Sequence, residues 1–171
     1  MKYLTTLVCS TMLSTAIFAE TAIETEAENI NFDIDKLYVG FGVSHNRIDL
    51  SSIGSTDAKA SGYQVFAGYE MGSKNGFDLS AEAGVIQSDD FSQIGQDANG
   101  IWAAAVIKKE LPEVNDKLAA LVRIGYGING DDGLLMGFGA QIRVMPQALI
   151  RLEYLNKDLS QSYQLNGVYQ F

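Results

Sequence analysis

From Lys36 to the end of the chain, apolar and polar positions alternate in successive runs. Leu37, Val39, Phe41 and Val43 alternate with Tyr38, Gly40, Gly42 and Ser44; Tyr63, Val65, Ala67 and Tyr69 with Gln64, Phe66, Gly68 and Glu70. Phe77, Leu79, Ala81, Ala83 and Val85 alternate with Asp78, Ser80, Glu82 and Gly84. After an ambiguous run, Ile101 to Lys109, apolar on both faces, come Leu118 to Tyr126, Leu134 to Val144 and Ala148 to Tyr154. The last run sets Tyr163, Leu165, Gly167, Tyr169 and Phe171 against Gln164, Asn166 and Gln170. A period of two is the signature of a strand whose two faces meet different surroundings. The runs number eight, and their lengths approach the roughly nine to eleven residues of a tilted membrane strand.

The connections alternate in character. Gly72 to Gly76, Pro112 to Asp116 and Met145 to Gln147 are compact segments carrying Gly, Pro and Asn breakers. Asp49 to Ala60, Gln87 to Asn99, Asn129 to Gly133 and Asn156 to Ser162 separate the other pairs, the first two long and polar. The expectation is an all-β fold: an eight-stranded antiparallel up-and-down barrel, with the last strand closing against Leu37 to Val43.

Alternation alone does not say which face points outward. A soluble barrel buries its apolar face around a ligand, whereas a membrane barrel turns it to lipid. Aromatic residues gather near strand ends on the apolar face (Tyr63, Tyr69, Phe77, Tyr126, Tyr154, Tyr163, Tyr169, Phe171), as girdles at two interfaces require. Glycines crowd the polar face, suiting a narrow lumen. Both features favour the membrane.

Composition adds targeting and a charge constraint. Residues 1 to 19 read as a secretory signal peptide: Lys2, an apolar run from Leu4 to Phe18, and Ala19 at the cut. Cys9, the single cysteine, lies inside it behind Thr6-Leu7-Val8, a poor lipoprotein signal, so the mature chain is expected to carry no thiol or disulfide. Residues 20 to 35 read as an acidic periplasmic arm and residues 36 to 171 as the barrel. The formal charge of −9 argues against a nucleic-acid partner.

An eight-stranded barrel has an interior just wide enough for side chains to fill. Inward charges must therefore pair with one another or cost several kcal/mol each. The expected lumenal ion network is Glu70, Glu82, Arg123, Arg143, Arg151 and Glu153, with Glu82, Arg123 and Glu153 near mid-height and the others lower. With Asp78 also on the polar face, inward acids slightly outnumber arginines, and an inward Lys108 would redress this and set the register of the ambiguous run. Such a set makes either a plug of salt bridges or a charged ion path.

Several segments resemble the small outer-membrane β-barrel proteins of the OmpA transmembrane-domain and OmpX type. Leu149-Ile-Arg151-Leu-Glu153-Tyr154 is similar to their penultimate strand, and Met136-Gly-Phe-Gly139 to their glycine-rich sixth strand. Leu111-Pro112 to Lys117, followed by Arg123-Ile-Gly125-Tyr126-Gly127, resembles their central turn and following strand. The aromatic carboxy-terminus resembles the recognition signal of such barrels. The resemblance implies that Tyr163, Leu165, Tyr169 and Phe171 address the chain to the barrel-assembly machinery. It further implies the outer membrane of a Gram-negative bacterium as location, both termini in the periplasm, and outer-membrane lipid and lipopolysaccharide as surroundings. Ending at Phe171, the chain is expected to lack the peptidoglycan-binding domain of full-length OmpA.

Some relatives of this type modify lipid A, so a catalytic histidine matters. His45 is the single histidine, and its neighbour Ser44 should point to the opposite face, leaving no nucleophile–base pair. Gly130-Asp-Asp-Gly133 lacks the full ligand series of a calcium loop, and Phe91 is the main aromatic anchor that the loops offer an outside ligand. No cofactor, metal or catalytic residue is expected. The reading is a plugged outer-membrane barrel with a structural or surface-interaction role. A small porin-like channel and a lipid A-modifying enzyme are its alternatives, and the extracellular ligand is left unassigned.

Overall fold

The computed structural model describes residues 33–48, 57–91, 99–128, 133–158 and 160–171. The expected signal peptide, most of the acidic arm and parts of the long connections lie outside the described residues. A short 3-10 turn, Ile34–Lys36, capped by the Asp33 carboxylate, leads into the first strand.

The described strands are β1 (Leu37–Ile48), β2 (Ala58–Lys74), β3 (Phe77–Ser88), β4 (Gly100–Glu110), β5 (Leu118–Ile128), β6 (Gly133–Met145), β7 (Ala148–Lys157) and β8 (Gln161–Gln170). Each pairs antiparallel with its neighbours in sequence, and β8 closes on β1, with Phe41 opposite Gly167 and Val43 opposite Leu165. Closure leaves no edge strand, so every ladder finds a partner within the ring, as hydrocarbon demands.

The start of β1, the end of β8 and the short turns share one end of the barrel, the turn end; the long connections join strands at the other, the loop end. At the turn end, β2 and β3 are joined by Asn75-Gly76, both at positive φ (55° and 78°). That is the two-residue hairpin whose twist suits the flanking strands, and it explains why Asn-Gly stands there. Gly72, expected in the turn, belongs instead to β2, beside a bulge between Glu70 and Gly72. A second bulge falls between Arg143 and Met145 in β6.

Several strands run further toward the loop end than the alternation indicates. Ala58 to Ala60 belong to β2, Gln87 and Ser88 to β3, Gly133 to β6, Asn156 and Lys157 to β7, and Gln161 and Ser162 to β8. On β1, β2, β3 and β8 the cause is a change of the outer face from apolar to polar. Below this level the outward residues are Val43, Tyr63, Val65 and Val85; above it they are His45, Arg47, Lys59, Ser61 and Gln87, while Ala58, Ala60, Asn46 and Ser162 point inward. Strands that leave an apolar band continue with polar side chains outside, so an apolar-outward reading stops too early.

The ambiguous β4 points Trp102, Ala104, Val106 and Lys108 inward and Ile101, Ala103, Ala105 and Ile107 outward. Trp102 shares the interior with the rings of Tyr38 and Phe66 and with Ile86, Leu135, Leu149 and Val168. Glycines make room for these rings. Gly40 lies directly across from Phe66, and Gly68 from Tyr38. A Cβ at Gly40 would collide with the Phe66 ring, and one at Gly68 with the Tyr38 ring. Aromatic side chains laid over cross-strand glycines thus fill a lumen too narrow for two bulky neighbours.

This interleaving makes Gly40→Ala destabilising, by about 1–3 kcal/mol as for other overpacked sites. Urea unfolding in detergent micelles should show the loss. Combining it with Phe66→Leu should recover part of that cost, a coupling expected only of residues in contact.

Candidate functional site: the lumenal charge cluster

The interior polar residues project from alternate positions of strands that face each other across the lumen. Glu82 on β3 stands at the centre. Its Oε1 accepts from the Tyr38 hydroxyl at 2.6 Å and from Arg151 Nη1 at 2.7 Å, and its Oε2 from Arg123 Nη2 at 2.5 Å. Arg123 Nη2 also lies 3.2 Å from Glu153 Oε2, which accepts from Asn166 Nδ2 at 3.0 Å. Asn166 Oδ1 in turn accepts from Gln64 Nε2 at 2.7 Å, and the same amide donates to Gln164 Oε1 at 2.8 Å. Side chains from β1, β2, β3, β5, β7 and β8 are joined in one network.

Two carboxylates face two guanidiniums, so the cluster closes without net charge, as charges withdrawn from water must. Rings supply much of its walls. The Arg123 guanidinium lies 4.7 Å from the Trp102 ring centroid, and that of Arg151 5.6 Å from Phe66. Cations over ring faces gain from the quadrupole in a setting where water is scarce.

The sequence-predicted residues divide into three groups. Glu82, Arg123, Arg151 and Glu153 come together. Glu70 stands nearer the turn end and forms its ion pair with Lys108. Arg143 joins neither group: beside the β6 bulge, its Nη1 donates to the Pro146 carbonyl at 3.0 Å. Two expectations therefore need correction, the level of Arg151 and the membership of Arg143 in the ion network. Arg151, expected lower, belongs to the central cluster, because its long side chain crosses the lumen and strand stagger offsets levels counted from the turns. Arg143 lies low in the barrel as expected but joins no ion pair; it sits at the rim of a cavity of about 110 Å³ at the turn end, lined also by Glu70, Asp78, Lys108, Gln141, Arg151 and Gln170. A cavity of about 10 Å³ toward the loop end, lined by Ile86, Trp102, Leu135 and Lys157, shares no lining residue with it.

Alternation placed Tyr38, Gln64 and Phe66 on the polar face without marking them as members of a site. Their partners lie 44 and 102 residues away in sequence for the Tyr38–Glu82 and Gln64–Asn166 bonds, so local pattern could not name them. Tyr163, Leu165, Tyr169 and Phe171 all lie exposed on the outer face of β8 and its end. Phe171 packs edge-on against Tyr169 at 5.4 Å, and its backbone N–H donates to the Leu37 carbonyl at 3.1 Å.

The other candidates fare differently. Ser44 is buried and His45 exposed, on opposite faces of β1, so the pair makes no nucleophile and base. Phe91 is only 3% exposed, packed against Ala58 and Ala60 with Ile48 alongside, and so is no anchor for an outside ligand. Residues 130–132 lie outside the described residues. Among the described residues no group of His, Cys, Asp or Glu could hold a metal ion.

No family model matches the chain, and no curated protein matches it. Solved structures do. A de novo designed transmembrane β-barrel is 18% identical, with 82% of this chain and 98% of that one covered and a TM-score of 0.56. The chain has the fold of the small outer-membrane β-barrels. Neisserial surface protein A is 14% identical over 80% of this chain and 97% of its own, with a TM-score of 0.50. Ail, the attachment invasion locus protein of Yersinia pestis, gives 15%, 79%, 97% and 0.49 for the same quantities.

The cluster's members should differ sharply in their weight. Glu82→Gln strands two buried guanidiniums and should cost about 3–5 kcal/mol, as when one partner of a buried pair is removed. Glu70→Gln removes the partner of one buried lysine beside a cavity and should cost less, about 1–3 kcal/mol. Urea unfolding midpoints in micelles, followed by tryptophan fluorescence of Trp102, would rank them.

Proposed function

We propose that this protein is an integral outer-membrane barrel with a side-chain-plugged lumen and a structural or surface-interaction role, and that it is not an enzyme. The observation that carries the reading is the inversion of polarity across the wall. Arg123, Arg151 and Glu153 are at most 2% exposed, whereas Phe41, Phe138 and Leu152 are more than half exposed on the outside. Water would reject such an exterior and lipid accepts it. Tyr63, Tyr163, Tyr126 and Tyr169 stand on that exterior near strand ends, where girdles at the two interfaces belong.

In this reading the turn end and both termini face the periplasm, and the loop end faces outward. The terminal strand, with Tyr163, Leu165, Tyr169 and Phe171 on its lipid face, serves as the address for the barrel-assembly machinery. The plug is favoured over a channel because Glu82, Arg123, Arg151 and Glu153 are at most 3% exposed and bonded to one another across the lumen. Opening a path would break several charge-assisted bonds at once.

Membrane fractionation combined with gel mobility before and after boiling tests the placement. A heat-dependent shift and an outer-membrane fraction are expected; a soluble periplasmic protein without a shift would reverse the assignment. In planar bilayers the purified barrel should give no large, reproducible conductance steps. Deleting Phe171 should reduce the membrane-inserted fraction several-fold, more than Asp158→Ala does, as read by the same gel shift.

A further inference from the structure

We propose that the cavity of about 110 Å³ at the turn end binds a primary alkylammonium group, as at the end of a small linear diamine, with Asp78, Glu110 and Gln141 as its acceptors. The structural role proposed above makes no use of this cavity. Gln141 lines it, is only 7% exposed, and has a side-chain carbonyl oxygen without a partner among the described residues. A carbonyl withdrawn from water costs free energy until a donor meets it. Its cross-strand neighbour Arg151 reaches away to Glu82. Asp78 is in the same position: it stands directly across from Lys108, whose ammonium pairs with Glu70. Neither Asp78 nor Glu110 has an ion pair or a side-chain hydrogen bond among the described residues.

Charge and shape select the ligand. Three carboxylates of the wall, Glu70, Asp78 and Glu110, face two cations, Lys108 and Arg143, while Arg151 is balanced within the central cluster. Arg143 is held aside by the Pro146 carbonyl. What the wall lacks is one more positive charge on a group that donates. A protonated primary amine brings three N–H donors and no acceptor. Bonds from it to carboxylates are charge-assisted, the stronger kind. Ala119, Leu149 and Val168 give the same cavity an apolar stretch for a short alkyl stem. Its volume is several times the roughly 30 Å³ that one water occupies in the liquid, so an ammonium with a few methylenes has room. Glu110 is exposed, so the site opens to solvent, and a second ammonium can stay outside. In the orientation proposed above that solvent is periplasmic, but binding itself does not depend on the orientation.

The isotope-labelled barrel, folded in non-ionic detergent, can be titrated with three probes while its backbone amide shifts are followed by NMR. The probes are putrescine, its fully N-methylated form, and succinate. Putrescine should give saturable shifts confined to the turn end, around Asp78, Glu110 and Gln141. The double variant Asp78→Asn with Glu110→Gln should weaken it about tenfold or more, one decade being about 1.4 kcal/mol. Gln141→Leu should weaken it several-fold. Arg143→Gln, which removes a competing positive charge, should strengthen it, a result that a merely structural role for the wall would not produce. Asp89→Asn, an acid at the loop end, should leave it unchanged. The heat-dependent gel shift serves as the folding control for every variant. Absence of saturable shifts with putrescine would mean a cavity that holds water only, and overturns the site. Undiminished binding by the double variant, or equal binding of succinate, overturns it as well. Equal affinity for the methylated form, which keeps the charge and loses the N–H donors, overturns the assignment of a hydrogen-bonded ammonium.

Discussion

The Glu82 carboxylate is the constraint around which the rest of this barrel is arranged. Two arginines and a tyrosine from three other strands converge on its two oxygens. Hydrophobic burial has no such specificity here, because the outer wall meets lipid in the folded state and any apolar side chain suits it. What makes one closed arrangement preferable to its slipped alternatives is the interior. A slip by one residue between β2 and β3, or β7 and β8, would turn the inward charges to lipid and the apolar set into the lumen. The charge cluster therefore acts as a register lock, and its weight is set by how costly an unpaired charge is in a dry space.

Converging long polar side chains in so narrow a lumen needs space and walls. Both come from the same device, glycine set across from an aromatic ring. Phe66 lies over Gly40 on one side, and Gly84 faces both Phe66 and Trp102 along the neighbouring ladders. The rings occupy volume that the glycines vacate and then face the guanidiniums of Arg123 and Arg151. Apolar and polar fillings of the lumen are thus one structure: the rings limit water, and limited water strengthens the ion pairs.

The outer face was legible from sequence because lipid asks the same thing of every second residue. Phe41, Val65, Leu152 and Leu165 announce their side without reference to any partner. Where surroundings change, legibility fails: Lys59 and Ser61 obey the strand period but with polarity reversed, so β2 looks shorter than it is. The interior was legible in parity, not in pairing. Glu82, Arg123 and Glu153 could be assigned inward from neighbours alone, but Arg151 reaching Glu82 depends on stagger and on distance across the lumen. Phe91 failed for a related reason. A loop aromatic looks available until the fold shows that Ala58 and Ala60 leave a seat for it.

These divisions decide where another molecule could act on this barrel. The central polar groups are largely committed to one another, so recruiting them to bind or pass a solute would mean dismantling the register lock. The apolar wall discriminates weakly among lipids, since dispersion with acyl chains is alike everywhere on it. Selective contact must therefore use polar groups outside the cluster: those facing the cavity at the turn end, or those on the outer face where the wall turns polar. On β1 and β2 that border brings Arg47, Lys59, His45 and Ser61 onto one patch, just above Val43 and Tyr63. The same change along the wall hid the end of β2 from the sequence pattern.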